Sequence, residues 1–253
     1  MRKSANMRQW LMATLLLACG GQAALAGDLV LVAGAAGRTG QQIVRELKAA
    51  GYRVRALVRD TDTAKAMLGD TVEYAIGDVR QRSTLDVALQ GVRYAISAVG
   101  ATRKDPANSP EFVDFQGVRN LADAAAAAKL DQLVIVSSAG VTQKDHVLNR
   151  MFDNVLVWKG KGEAAVRASG VPYTIVRPGG LTDKPGGQNG VRLEQGDRGT
   201  GFIPRGDVAR VCVAALKWPA ARNRTFELYG AQPPPDTNWD ALFGKLKVDE
   251  PQS

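Results

Sequence analysis

The sequence predicts an α/β protein in which one doubly wound parallel sheet carries helices on both faces. Strand-like apolar runs alternate with helical stretches from Leu29 onward, the alternation that builds βαβ units and a parallel sheet. The first run, Leu29-Val-Leu-Val-Ala33, is followed by Gly34, Gly37 and Gly40 and passes directly into a helix. Residues 27–230 are enough for one domain with a full core and do not argue for two.

The helix is expected over residues 41–50, where Ile43, Val44 and Leu47 recur at helical spacing with charges between them. Glycines at a strand-to-helix junction have three tasks: a tight turn, close approach of backbone to a ligand, and close packing of helix on strand. Free N–H groups and the positive dipole end at the helix start then form a site for a pyrophosphate. The spacing is G-x-x-G-x-x-G where the common dinucleotide fingerprint has G-x-G-x-x-G, but the second strand, Tyr52-Arg-Val-Arg-Ala-Leu-Val58, closes a unit of about 30 residues, as that fingerprint requires. The competing reading is that the glycines serve only a tightly packed turn.

At the end of that second strand stand Arg59 and Asp60. A carboxylate here binds the ribose 2′-hydroxyl of NAD, whereas a cation suits the 2′-phosphate of NADP. Arg59 follows the strand directly and Arg38 in the glycine loop is a second cation, so NADP is expected, with NAD through Asp60 as the alternative.

The pattern then repeats. Val72–Ile76 is an expected strand ending in Gly77-Asp78-Val79, Ser83–Gln90 a helix with a serine cap, and Arg93–Val99 a strand running into Gly100. A helix is expected from Phe112 to Lys129, then an apolar strand, Gln132–Ser137, that delivers Ser138. Ligands of such sheets bind beyond the carboxyl ends of the strands, the edge on which Asp78, Val99, Gly100 and Ser138 fall. The Gly-rich and Pro-rich stretch 178–190 follows a strand end and is a candidate lid. Residues 231–253 form a tail whose Trp239, Leu242, Phe243 and Leu246 mark a short amphipathic helix, read either as docked on the domain or as a partner-binding element.

Residues 1–26 differ from the rest: Arg2, Lys3 and Arg8, no acid, an apolar run, then Ala24-Leu-Ala26. This order is that of a Sec signal peptide, and Leu16-Leu-Ala-Cys19 also resembles a lipobox in which Cys19 would carry a lipid anchor. The expectation is an exported, periplasmic protein, with a cytoplasmic one as the alternative. The chain's charge of +8, less the three basic residues of that segment, leaves +5. The excess is scattered, with no basic block, so nucleic acid is not implied. Cys212 lies on an apolar helical face and reads as an inert buried thiol. With His146 the only histidine, neither a His-cluster metal site nor a Ser-His-Asp triad is supported.

Gly34-Ala-Ala-Gly-Arg-Thr-Gly40, Val54–Arg59, Gly77-Asp-Val79, Val136-Ser-Ser-Ala139, Gly162–Gly170 and Tyr173–Gly180 together resemble the atypical short-chain dehydrogenase/reductases, in particular the NAD(P)H-binding, NmrA-like and biliverdin-reductase-B-like groups. The resemblance implies a Rossmann-like fold and a dinucleotide held by Gly34, Ala36, Gly37, Arg38, Thr39 and Gly40, by Arg59 at the 2′-phosphate, and by Asp78 and Val79 at the adenine. Val99, Gly100, Ser138, Lys159 and Pro178 would follow the rest of the cofactor, with Ser138 and Lys159 as catalytic candidates. Lys159 matches the lysine of the Tyr-x-x-x-Lys pair, but the tyrosine position is Val155, which has no hydroxyl to pass a proton. Lys159 is read either as a nicotinamide-ribose contact or as part of a solvated ladder with Glu163 and Arg167. Two functions stay open: an NADPH-dependent reductase of a flavin, quinone or similar small acceptor, and a non-catalytic dinucleotide-binding sensor or scaffold.

Overall fold

The computed structural model describes residues 27–102, 106–235 and 238–250. The expected signal peptide, with Cys19, lies outside them. The chain opens with β1 (Leu29–Ala33), α1 (Arg38–Ala49), β2 (Arg53–Val58), α2 (Thr61–Leu68), β3 (Glu73–Ile76), α3 (Arg82–Ala88) and β4 (Tyr94–Ser97). A π-helical segment, Glu111–Gly117, runs into α4 (Val118–Ala127), followed by β5 (Gln132–Val136), α5 (Val147–Met151), α6 (Val155–Ala168) and β6 (Tyr173–Pro178). The last part holds β7 (Gly180–Thr182), β8 (Val191–Glu194), β9 (Phe202–Pro204), α7 (Arg205–Lys217), β10 (Arg224–Gly230) and α8 (Trp239–Gly244).

Eight strands form one sheet in the order β3-β2-β1-β4-β5-β6-β10-β8, and β7 pairs with β9 apart from it. All pairings in the large sheet are parallel except that of β8 with β10. Chain direction across the sheet reverses between β1 and β4, and a crevice opens at such a switch point. Every residue of β1 is buried because both faces are covered. On one side Val30 and Val32 lie in a core with Ile43, Val44 and Leu47 of α1 and Val208, Val211 and Cys212 of α7. On the other, Leu29 and Leu31 lie with Leu85 of α3, Leu121 and Ala122 of α4, and Val166 of α6. Cys212 is fully buried, and burial pushes its thiol up to about 12, the inert state expected of it.

Several elements depart from the sequence reading. Helix α1 begins at Arg38, so Gly40 is inside it. The helix expected from Phe112 begins as a π-helical turn, whose wider winding leaves the apolar periodicity nearly unchanged. Helices α2 and α5 and strand β7, the last within the candidate lid, were not expected. The C-terminal helix is docked: Phe243 is buried, with its ring 6.0 Å from that of Phe226.

Candidate functional site

A cleft of about 630 Å³ lies over the carboxyl ends of β1, β2, β3 and β4, lined by Gly34, Ala36, Gly37, Arg59, Asp78, Val79, Val99 and Gly100 among others. This is within the size range of pockets that hold cofactors. Its floor is the β1–α1 turn. Gly34 has φ +78°, and a Cβ there would stand 2.8 Å from the Ala98 carbonyl oxygen, so β1 turns hard against the end of β4. Gly37 is the N-cap of α1 with no side chain capping the first turn, which leaves the helix amides to a ligand. A Cβ on Gly40 would collide with the Gly34 carbonyl. Gly40 therefore permits close packing of the helix on the turn.

The ends of β2 and β3 supply the charged groups. Arg59 is exposed at the cleft wall and donates through Nη1 to Asn108 Oδ1 at 3.1 Å. Asp60 also lines the cleft, but its Oδ1 accepts from the backbone of Thr63 at 2.7 Å as the N-cap of α2. Hydrogen bonding from the Thr63 side chain, and then from its backbone, holds the Asp60 carboxyl below its usual range. Both groups thus line the cleft, the Asp60 carboxylate starting a helix and the Arg59 guanidinium bonded to Asn108. Asp78 is gripped by its neighbour Arg80, Nη2 to Oδ2 at 2.6 Å. Burial pushes the Asp78 carboxyl up, but the Arg80 hydrogen bonds outweigh it and hold the group low and charged.

The other end of the edge is assembled from buried ion pairs. Lys159 Nζ meets Asp114 Oδ1 at 2.7 Å, with side-chain exposures of 17% and 1%. The second Asp114 oxygen accepts from the Ala101 amide at 3.0 Å. Lys159 is therefore not part of a solvated ladder: Glu163, its expected partner, is itself buried and bonded to Arg177, Arg167 and Ser137. Lys159, Asp114, Val99 and Ser137 surround a void of about 10 Å³. Gly162 explains how α6 comes this close, since a Cβ there would collide with the Asp114 carbonyl oxygen. Helix α6 accepts a cost of about 1 kcal/mol for a glycine and gains contact with the π-helical turn.

Of the other expected residues, Arg38 is exposed and pairs with Asp183 of the candidate lid, which Arg205 also holds at 2.7 Å. Thr39 sits in the first turn of α1, half-buried. Ser138 is half-buried on the loop leaving β5, and its Oγ donates to the Ala139 carbonyl at 2.9 Å. Pro178 is buried at the end of β6, where its carbonyl accepts from the Ala139 amide at 2.9 Å. These four, with Gly40 and Lys159, do not line the 630 Å³ cleft. No tyrosine substitutes for the missing hydroxyl at Val155. Tyr52 and Tyr94 stack edge-on, Tyr74 bonds the Gly69 carbonyl, Tyr173 bonds Asp249, and Tyr229 bonds the Gly199 carbonyl. Asp114 and Asn108 escaped the sequence reading. Asp114 had a signal, a carboxylate on the apolar helical face shared with Val118 and Leu121.

Residues 34–219 match the NAD(P)H-binding family. The chain belongs to that family. An uncharacterized chloroplastic protein of Arabidopsis thaliana is 36% identical over 245 residues, covering 86% of this chain and 75% of its own. Sanguinarine reductase of Eschscholzia californica is 34% identical over 245 residues, covering 81% of this chain and 89% of its own. A solved structure, a putative NAD-dependent epimerase/dehydratase from Bacillus halodurans, superposes with a TM-score of 0.75 at 24% identity, over 87% of this chain and all of that one. The fold is thus Rossmann-like, and the family one of dinucleotide-binding, oxidoreductase-type proteins. One expectation is corrected: several relatives, the Arabidopsis protein among them, are chloroplastic by name, which contradicts export to a periplasm. A basic, acid-free leader is a composition that signals for different compartments share. No helix among the described residues is long and apolar enough to cross a membrane.

Proposed function

We propose that the protein is an NADPH-dependent reductase of a flavin, quinone or similar planar acceptor. The observation that carries the cofactor choice is the division of labour at the end of β2: Arg59 and Asp60 both line the cleft, but the Asp60 carboxylate caps α2. In this reading the first turn of α1 binds the pyrophosphate, Arg59 holds the 2′-phosphate with Asn108 fixing its guanidinium, and Asp78 and Val79 border the adenine. Gly100, Ser138 and Lys159 belong to the nicotinamide end. NADPH supplies a hydride when bound.

The absence of a hydroxyl at Val155 points to an acceptor that takes hydride from NADPH and its one proton from solvent, which suits a flavin or quinone better than a ketone. Apolar side chains exposed on α5, β7 and β9, namely Val147, Met151, Leu181 and Phe202, suit a flat, poorly soluble acceptor. These elements all leave the carboxyl side of β5 and β6 or lead into α7. A relative named as a reductase supports turnover. NADPH oxidation measured against a panel of flavins, quinones and small carbonyls tests the reading: turnover with the first two classes is expected, and brisk ketone reduction contradicts it.

One observation favours a second reading, binding of the dinucleotide without turnover. Lys159, the surviving half of the Tyr-x-x-x-Lys pair, is neutralised by buried Asp114. Tight NADPH binding with no oxidation by any acceptor in the panel would establish it in place of the first.

A further inference from the structure

The loop that carries Ser138 is held at both ends by one buried network of charges that lies outside the dinucleotide cleft. Ser137 Oγ donates to Glu163 Oε1 at 2.6 Å. Arg177 binds both Glu163 oxygens, at 3.0 and 2.6 Å, and reaches Glu227 Oε1 at 3.0 Å. Glu227 Oε2 accepts the backbone N–H of Asp197 at 2.9 Å. The Asp197 carboxylate returns to the loop: Oδ1 accepts from the Gly140 amide at 2.6 Å, and Oδ2 from the Thr142 amide and hydroxyl, each at 2.8 Å. Ser138 and Ala139 lie between the two points of attachment.

Backbone bonds tie only the start of the loop to β6, Ser137 N–H to the Val176 carbonyl at 2.7 Å and Ala139 N–H to the Pro178 carbonyl at 2.9 Å, and beyond Ala139 the side chain of Asp197 holds it. The loop's sequence, Ser137-Ser-Ala-Gly-Val-Thr142, has little apolar bulk to bury, and Gly140 adopts φ +88°. Asp197 comes from the connection between β8 and β9, 57 residues from Gly140, and is only 4% exposed. Burying Glu163, Glu227 and Asp197 around Arg177 is costly unless every oxygen is hydrogen-bonded, and buried ion networks of this kind are weak sources of net stability. What the arrangement does supply is a fixed backbone path for the loop.

We propose that Asp197 is a positioning residue for the reaction, fixing the loop of residues 137–143 and with it Ser138 at the acceptor end of the cleft. It touches neither cofactor nor acceptor and acts through the Gly140 and Thr142 amides. The proposal rests on the reductase reading, and the experiment separates the two.

The test compares the full chain with Asp197→Asn, which keeps the side chain's size and one acceptor oxygen but turns a donor toward the second amide. Hydrogen exchange at the Gly140 and Thr142 amides should accelerate by about tenfold or more, since each loses or weakens a charge-assisted bond. NADPH affinity should stay unchanged, because the cleft from Gly34 to Asn108 is untouched. With a flavin or quinone acceptor, kcat should fall by about tenfold or more, as a misplaced loop at a reacting centre implies. Thr142→Val, which removes only the hydroxyl, should lie between the two in both readouts, and it decides the matter if Asp197→Asn does not fold. Unchanged exchange at the loop, or native kcat in a folded Asp197→Asn protein, overturns the proposal. If the parent protein turns over no acceptor, the reductase reading fails. The exchange readout then decides alone, with acceleration confined to residues 140–143 upholding the staple and unchanged exchange overturning it.

Discussion

At the β1–β2–β3 end of the sheet, the exposed groups Gly37, Arg59 and Asp60 that line the cleft come from one βαβ stretch, Gly34 to Asp60. At the β5–β6–β10 end, the polar groups pair across 26, 50 and 57 residues, and the carboxylates are buried. An open half built by local sequence suits a large anionic ligand that brings its own charge. A half closed on its own ion pairs has already satisfied its charges, and has few left for a charged substrate. The contrast supports a charged cofactor at one end and an uncharged, apolar acceptor at the other.

Removing a charge should therefore have opposite consequences at the two ends, in stability at one and in binding at the other. The largest expected effect is that of Asp114→Ala, which leaves Lys159 without its partner in a mostly buried place. Breaking a buried pair in this way costs about 3–5 kcal/mol, and chemical denaturation of the purified protein measures it. A loss below about 1 kcal/mol, the range of an exposed pair, would show that the two ends are not built differently.

Gly162→Ala should follow. The added methyl meets the Asp114 carbonyl oxygen, and overpacking of this kind costs about 1–3 kcal/mol, against about 1 kcal/mol of helix propensity gained. A net fall in melting temperature is expected, whereas a rise would mean that α6 does not approach the π-helical turn so closely.

The smallest effect is in the pH dependence of stability. Burial pushes the Asp197 carboxyl up, but the Thr142 and Gly140 bonds outweigh it and hold the group below its usual range. A depressed folded-state value contributes stability that is present above the unfolded value, about 3.9, and is lost as pH falls through the folded one. Glu227 is displaced the other way, raised chiefly by burial, so its charge costs stability at neutral pH and the cost is relieved on acidification. Asp197→Asn should therefore show a shallower loss of stability below about pH 4 than the parent, read from unfolding curves across the acid range. A steeper loss would contradict the assignment.

The same contrast decides what could be read from the sequence. The β1–α1–β2 unit, the cation at Arg59 and the strand-end position of Asp78 follow from periodicity and short spacing, and the structure has them on one cleft. Asp60 was legible only as a charge near a ribose, since its use as a cap depends on α2, a helix with a weak apolar stripe. The sequence shows a glycine at 162 within a helix, but not that it admits the Asp114 carbonyl. Asp114 and Asp197 belong to pairs made across the fold, and no local spacing announces which distant amide or ammonium a carboxylate will meet. The helix from Phe112 was found by its period, but a π-helical turn alters that period too little to be seen in seven residues.

The most direct test of the account is a calorimetric titration of the purified protein and its Arg59→Ala variant with NADPH and with NADH. A charge-assisted contact from arginine to phosphate contributes roughly 1.5–3 kcal/mol, or about ten- to a hundredfold in affinity. The parent should prefer NADPH by that factor, and Arg59→Ala should lose the preference while keeping its affinity for NADH. Equal or NADH-favouring binding in the parent, unchanged by the substitution, would contradict the assignment of Arg59 and with it the division of roles between Arg59 and Asp60.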